Sequence, residues 1–193
     1  MSAAVKPDAT PLGYALLGLL RGRPQTGYAL RMVFERTPMA IYSSSPGSIY
    51  PALKKLESAG LVCRAAHAQG PRFQLTSEGE TALERWLREP VTVDQIATDR
   101  SVVLLRFAFL QDQPDEALTH SFLKAFEAAA RRHGEELEAF LAGPEGLGMS
   151  LHSRVAVEHG IAQAAVSASW AGAARQKLRL LGRETSASGE LSR

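Results

Sequence analysis

Between residues 10 and 90 the spacing of apolar residues changes twice, and those changes select the class of fold. Apolar side chains recur at helical intervals three times, alternate in two short runs, and then return to helical intervals. Thr10-Pro11 reads as an N-cap with proline at the first helical position. Leu12, Ala15, Leu16, Leu19 and Leu20 follow it on one face. A second helix starts at Thr26-Gly27, carries Ala29, Leu30, Val33 and Phe34, and ends at Thr37-Pro38. Met39 to Ser45 reads as a connection. A third helix runs from about Pro46 to Ala59, burying Ile49, Leu53, Leu56 and Ala59, with Gly60 as its stop. Pro51 would break a helix interior, so this helix must begin near Gly47 or Ser48, with Ser45 and Ser48 both available as caps. Leu61 to Ala66 and Arg72 to Leu75 alternate around His67-Ala68-Gln69-Gly70-Pro71, which is a β-hairpin pattern. Ser77-x-x-Glu80 fits a capping box for a fourth helix with Ala82, Leu83, Trp86 and Leu87 inward, ended by Pro90.

Beyond Pro90 the pattern is helical throughout. Pro90 to Thr98 reads as a linker, and Asp99 to Leu110 is apolar nearly all round. Pro114 to Leu141 is amphipathic, with Leu118, Phe122, Phe126, Ala129, Leu137 and Phe140 expected inward. Gly143 to Gly148 reads as a turn. Ser150 to Leu181 is a second long helix with Leu151, Val155, Ala162, Val166, Ala173 and Leu180 at helical spacing. Two such helices cannot hide both stripes against each other alone. Gly160 to Ala173 is rich in small residues that let helices approach closely, and reads as a dimerisation element. The alternative is a bundle within one chain. The expected fold is mostly α: a disordered start (1–9), a winged helix-turn-helix domain (10–90), a helical dimerisation domain (91–183) and a disordered tail (184–193).

Charge separates the two halves. The 193 residues carry a formal net charge of +2, which does not advertise a polyanion partner. From Arg21 to Leu75, however, eight basic residues face two acidic ones, a net +6. From Thr76 onward there are 13 basic and 17 acidic residues, a net −4. A basic module on an acidic remainder suits a nucleic-acid reader with a separate non-binding domain. The single cysteine, Cys63, cannot form an internal disulfide, so a reducing cytoplasm is expected and Cys63 reads as a small buried residue. No apolar run reaches the length of a membrane span, and no signal-peptide pattern opens the chain. His120, His133, His152 and His159 lack metal-ligand spacing. Neither a nucleophile–base pair nor a glycine-rich phosphate loop is present, so neither enzyme nor cofactor nor metal is expected.

The order helix, helix, helix, hairpin, helix is that of a winged helix-turn-helix, in which the third helix enters the major groove of duplex DNA. Opposite its buried face that helix presents Ser48, Tyr50, Lys54, Lys55 and Ser58, hydroxyl and ammonium groups suited to phosphates. Gly27 and Tyr28 offer free N–H groups and a phenol at the start of the second helix. On the hairpin, Phe73 and Leu75 are expected inward, with Arg72 and Gln74 outward.

Ser45-Pro46-Gly47-Ser48-Ile49-Tyr50-Pro51-Ala52-Leu53-Lys54-Lys55-Leu56-Glu57, followed by Gly60-Leu61-Val62, resembles the signature of the PadR family of transcriptional regulators. Leu16 to Leu20, Gly27-Tyr28-Ala29-Leu30, Leu75-Thr76-Ser77-Glu78-Gly79 and Leu104 to Phe109 are similar to the same family, so the resemblance covers roughly Pro11 to Leu181. It implies a cytoplasmic homodimer on pseudo-palindromic double-stranded operators, usually repressing, with release by a small-molecule effector or stress signal in several members. The sequence departs from the family at Tyr42-Ser43-Ser44, in the wing tip His67-Ala68-Gln69-Gly70 and at Phe73, which shifts expected affinity from the wing to the third helix. The expected DNA-binding residues are Gly27, Tyr28, Ser45, Ser48, Tyr50, Lys54, Lys55 and Arg72. Tyr50 has the alternative of packing over the second helix. Trp170 reads either as core or as part of an effector pocket. A winged-helix adaptor that binds protein instead of DNA is the competing function.

Overall fold

Two threonines set where the first helices begin. Thr10 Oγ1 accepts from the Gly13 N–H at 3.2 Å, and Thr26 Oγ1 accepts from the Ala29 N–H at 3.1 Å. The helices they cap are α1 (Pro11–Arg21) and α2 (Gly27–Arg36). The computed structural model describes residues 9–43, 45–66, 70–112 and 115–190. The expected disordered start, the hairpin tip at 67–69 and residues 191–193 lie largely or wholly outside them. The chain divides into two compact units, Met1–Glu89 and Pro90–Arg193.

In the first unit the connection after α2 is mostly 3-10 helix, at Pro38–Tyr42 and Pro46–Ser48, leading directly into α3 (Ile49–Ser58). Pro51 is therefore the third residue of α3, where a missing N–H costs no helical hydrogen bond. Ile49, Leu53 and Leu56 are buried as expected, whereas Ala59 lies past the helix end and is exposed. Gly60, at φ +74°, turns the chain into β1 (Val62–Ala65). β1 pairs antiparallel with β2 (Arg72–Leu75), Val62 opposite Leu75 and Ala65 opposite Arg72. Gln25 adds a bridge to Phe73, with N–H···O bonds of 2.9 and 2.8 Å in the two directions. The hairpin is thus tied to the turn before α2.

The cap of α4 (Ser77–Leu87) corrects the sequence reading. Thr76, not Ser77, has extended backbone, and its Oγ1 accepts from the Gly79 N–H at 3.0 Å. Its hydroxyl also donates to the Gly60 carbonyl at 2.6 Å. Glu80, expected in a capping box, reaches instead to Arg21 at 3.4 Å, alongside Glu84 at 3.2 Å. A Cβ on Gly79 would collide with the Leu61 carbonyl, so only glycine lets α4 start this close to the hairpin. The other end of α4 carries Trp86, stacked on Tyr14 with ring centroids 4.5 Å apart and planes 2° from parallel. Both rings are buried, within a core of Leu16, Leu17, Leu20, Leu30, Leu53 and Leu83.

The second unit is helical among its described residues. The stretch expected as a linker contains α5 (Val93–Thr98), opened by a capping box between Thr92 and Gln95. α6 (Arg100–Ala108) buries Arg106 as well as Val103 and Leu105. The Arg106 guanidinium lies 5.2 Å from the Phe122 ring centre, a cation–π contact within the apolar run. A 3-10 turn (Phe109–Asp112) leads to α7 (Glu116–Ala142), and the expected turn contains the short α8 (Pro144–Leu147). α9 (Leu151–Glu190) runs past Leu181, where its apolar spacing stops.

α7 and α9 pack antiparallel through small residues. Ala164, Ala168 and Ala171 are buried on α9, and Ala129, Ala130 and Gly134 on α7. A Cβ on Gly134 would lie 3.4 Å from the Ala164 Cβ, and one on Gly160 3.1 Å from Leu137 Cδ1. The small-residue segment thus serves a contact within the chain. Glu127 pins the same seam, bonding Arg131 and Arg175 at 2.9 Å each. The Arg131 hydrogen bond, aided by Arg175, holds its carboxyl below the ordinary 4.5.

The large apolar residues of α9 face the other way. Leu151, Val155, Ala162, Val166, Ala173 and Leu180 are exposed, as is Phe140 on α7. At 3.6 residues per turn the six fall within about 60° of one another, roughly opposite the buried alanines.

Replacing Trp86 by alanine removes the stack that joins α4 to α1. We expect a loss of about 3–5 kcal/mol in the urea unfolding of the N-terminal unit. A loss near zero would mean that the stack does not hold the unit together.

Candidate nucleic-acid interface

The outward face of α3 follows from what its inward face buries. With Ile49, Leu53 and Leu56 in the core, Tyr50, Pro51, Lys54, Lys55 and Ser58 point away from it, and all five are exposed. Lys54 and Lys55 form no ion pair or hydrogen bond among the described residues, so both ammonium groups remain available to an external anion. Glu57, the only carboxylate on α3, is held by Arg64 at 3.0 and 3.2 Å. That pair removes the negative charge from beside the lysines and fixes β1 to α3.

Tyr50 does two things at once. Its ring covers Gly27, where an added Cβ would lie 2.6 Å from Tyr50 Cε1, yet the residue keeps 49% of its surface exposed. The absence of a side chain at Gly27 is what lets the ring seat against α2. Tyr28 is 59% exposed, and the Arg31 guanidinium lies 5.5 Å from its ring centre while pairing with Glu35. The first turn of α2, Tyr50 and the two lysines thus belong to one packed α2–α3 pair.

The serines hold the turn between these helices. The Ser45 carbonyl accepts from the Ser48 N–H at 3.0 Å, from Ser48 Oγ at 2.7 Å and from Ser43 Oγ at 2.8 Å. The Ser43 and Ser48 hydroxyls also lie 2.7 Å apart. Ser48 is therefore committed to shaping the entry of α3, while Ser45 is exposed. These bonds are invisible in the sequence, where the two serines read only as caps.

On the hairpin, Arg72 and Gln74 are half-buried and do not simply point outward. Arg72 Nη1 lies 3.5 Å from the Pro24 carbonyl, and the Gln74 amide donates to Cys63 Sγ at 3.4 Å. Cys63 is half-buried. Arg64 lies 5.1 Å over the Phe73 ring. Two cations not singled out by the pattern, Arg23 and Arg36, are exposed at either end of α2 and form no ion pair among the described residues. Their signal was the +6 segment itself.

In the second unit Trp170 meets Phe107 and Phe126 edge-on, with centroids 5.5 and 5.4 Å away. An open cavity of about 1110 Å³ lies beside this cluster, walled by Phe107, Leu110, Leu123 and Leu178 and rimmed by His120 and Arg175. Trp170 itself does not line it. Among the described residues no group of three His, Cys, Asp or Glu could hold a metal ion, and no helix is long and apolar enough to cross a membrane.

Residues 16–85 match the transcriptional regulator PadR-like family. The negative transcriptional regulator PadR of Bacillus subtilis (strain 168) is 30% identical over 101 residues, half of this chain and 56% of that relative's length. The crystal structure of Bacillus subtilis PadR in complex with operator DNA is similar at 20% identity, covering 86% of this chain and 98% of that one, with a TM-score of 0.40. The complex of the same protein with p-coumaric acid is similar at 20% identity over 88% and 99%, with a TM-score of 0.41.

Gly27→Ala should displace the Tyr50 ring from α2. Overpacking at this seam predicts a loss of about 1–3 kcal/mol in urea unfolding. Restored stability in Gly27→Ala combined with Tyr50→Ala would identify the ring as the cause; no restoration would contradict the packing.

Proposed function

We propose that this chain, whose residues 16–85 match the PadR-like family of transcriptional regulators, belongs to that family and is a repressor that binds a pseudo-palindromic operator as a homodimer. Members of that family are regulators and not enzymes. The observation that carries the DNA reading is the pair of exposed ammonium groups of Lys54 and Lys55 on the outward face of α3, without partners among the described residues. In a helix-turn-helix this face enters the major groove, and lysines on it meet phosphates. Tyr28 and Tyr50 supply further backbone contacts, with Ser45 at the entry of α3; Gly27, expected from the sequence to contact a phosphate, is buried under the Tyr50 ring and acts by seating it. Ser48 acts through the turn it closes, and Arg72 contributes from the hairpin with part of its guanidinium turned back on Pro24. Repression follows the name of the relative, a negative regulator.

The dimer rests on α9. Its stripe of Leu151, Val155, Val166 and Leu180, with Leu147 of α8 beside it, is exposed in one chain. A second copy related by a twofold axis would cover it, and a pseudo-palindromic operator would take two α3 helices about 34 Å apart, one turn of DNA. An effector, where one acts, would enter the cavity beside Phe107, with Trp170 sensing it only through that ring. The protein would work in the cytoplasm, on double-stranded DNA.

Each lysine–phosphate contact adds about 0.9 to the slope of log K against log salt. We expect Lys54→Ala to weaken binding to all duplexes alike and to lower that slope by about one per chain bound. Unchanged affinity and slope would remove Lys54 from the interface. Absence of any salt-sensitive duplex binding by the native protein would favour a protein-binding adaptor.

A further inference from the structure

In a helix-turn-helix the residues at the start of the recognition helix are those that meet base edges. In α3 the outward side chains of that first turn are Tyr50 and Pro51, both exposed. Neither belongs to the set that commonly hydrogen-bonds base edges, which is Arg, Lys, Asn, Gln, the acids, Ser and Thr. Ser48, just before them, has its hydroxyl committed to the Ser45 carbonyl and the Ser43 hydroxyl. Glu57 is closed off by Arg64. Lys54 and Lys55 stand one turn later and are point charges without a planar fork.

With the Tyr50 phenol assigned above to the DNA backbone, what the first turn offers to a base pair is hydrocarbon. Pro51 presents a pyrrolidine ring with no donor, on the side of the helix opposite Leu53. Tyr50 adds the edge of a ring that its packing on Gly27 holds in place. The one feature of the major groove that complements such a surface is the C5-methyl group of thymine.

Resting on the DNA-binding reading above, we propose that Pro51, flanked by the Tyr50 ring, selects operator half-sites by apolar contact with thymine methyl groups. Specificity then comes from shape and hydrocarbon at the helix start, and affinity from the lysines behind it. A methyl group left without its apolar contact weakens binding about fourfold.

The test uses duplexes selected from a random library by the full chain and resynthesised with deoxyuridine for thymidine at one position at a time. Deoxyuridine keeps every hydrogen bond and removes only the methyl. We expect binding to fall about fourfold at one or two thymines in each half-site and to hold elsewhere. Pro51→Ala, which replaces proline by a stronger helix former, should bind the thymidine and deoxyuridine duplexes alike. Lys54→Ala should weaken both and keep their ratio. Equal binding of the two duplexes by the native protein would overturn methyl readout while leaving DNA binding intact. Failure to enrich any duplex would overturn both.

Discussion

The stack of Tyr14 on Trp86 is the contact on which the N-terminal unit depends. It fastens α4 to α1, and α1 is buried along most of its length. α3, the hairpin and the turn after α2 pack against α1 in turn. With that scaffold closed, α3 has no freedom to rotate about its axis, because Ile49, Leu53 and Leu56 are locked into it. The outward direction of Lys54, Lys55, Tyr50 and Pro51 is then a consequence of burial elsewhere. The polar turn built on the Ser45 carbonyl sets where α3 begins, and Gly27 sets how closely Tyr50 lies on α2. Position, start and tilt of the helix thus come from three separate contacts.

The second unit works by division of labour along one helix. Small residues of α9 face α7, and their size permits the close approach of the two backbones. Large apolar residues face outward and are exposed. A helix built this way has one face for its own chain, and the proposed dimer would use the other. Glu127 bonded to both Arg131 and Arg175 shows how the intrachain face is also held in register by charge.

Much of the fold was legible because it depends on local rules. The caps at Thr10 and Thr26, the limits of β2, the start of α3 set by Pro51 and the stop at Gly60 follow from backbone chemistry at single residues. Thr76 and Ser77 are adjacent hydroxyl residues, and only the backbone angles tell which one caps. Thr92-x-x-Gln95 is a readable box that the nearby Pro90 masks. Periodicity revealed the stripe on α9 but not its direction, since both faces are apolar and only packing density separates alanine from valine. In the candidate interface, exposure of Lys54 and Lys55 could be read from the spacing of their buried neighbours. The commitments of Ser48, Glu57 and Arg72 could not, because each partner is fixed by tertiary geometry.

The central claim is that the exposed face of α9 joins two chains so that two α3 helices meet one duplex. Sedimentation of the protein alone and on a selected duplex tests it most directly, with Val166→Glu as the comparison. The account predicts two chains in both states for the native protein, and a single chain in solution for the variant, since a buried carboxylate at the seam would have no partner. A native protein that sediments as one chain, free and on DNA, would contradict it.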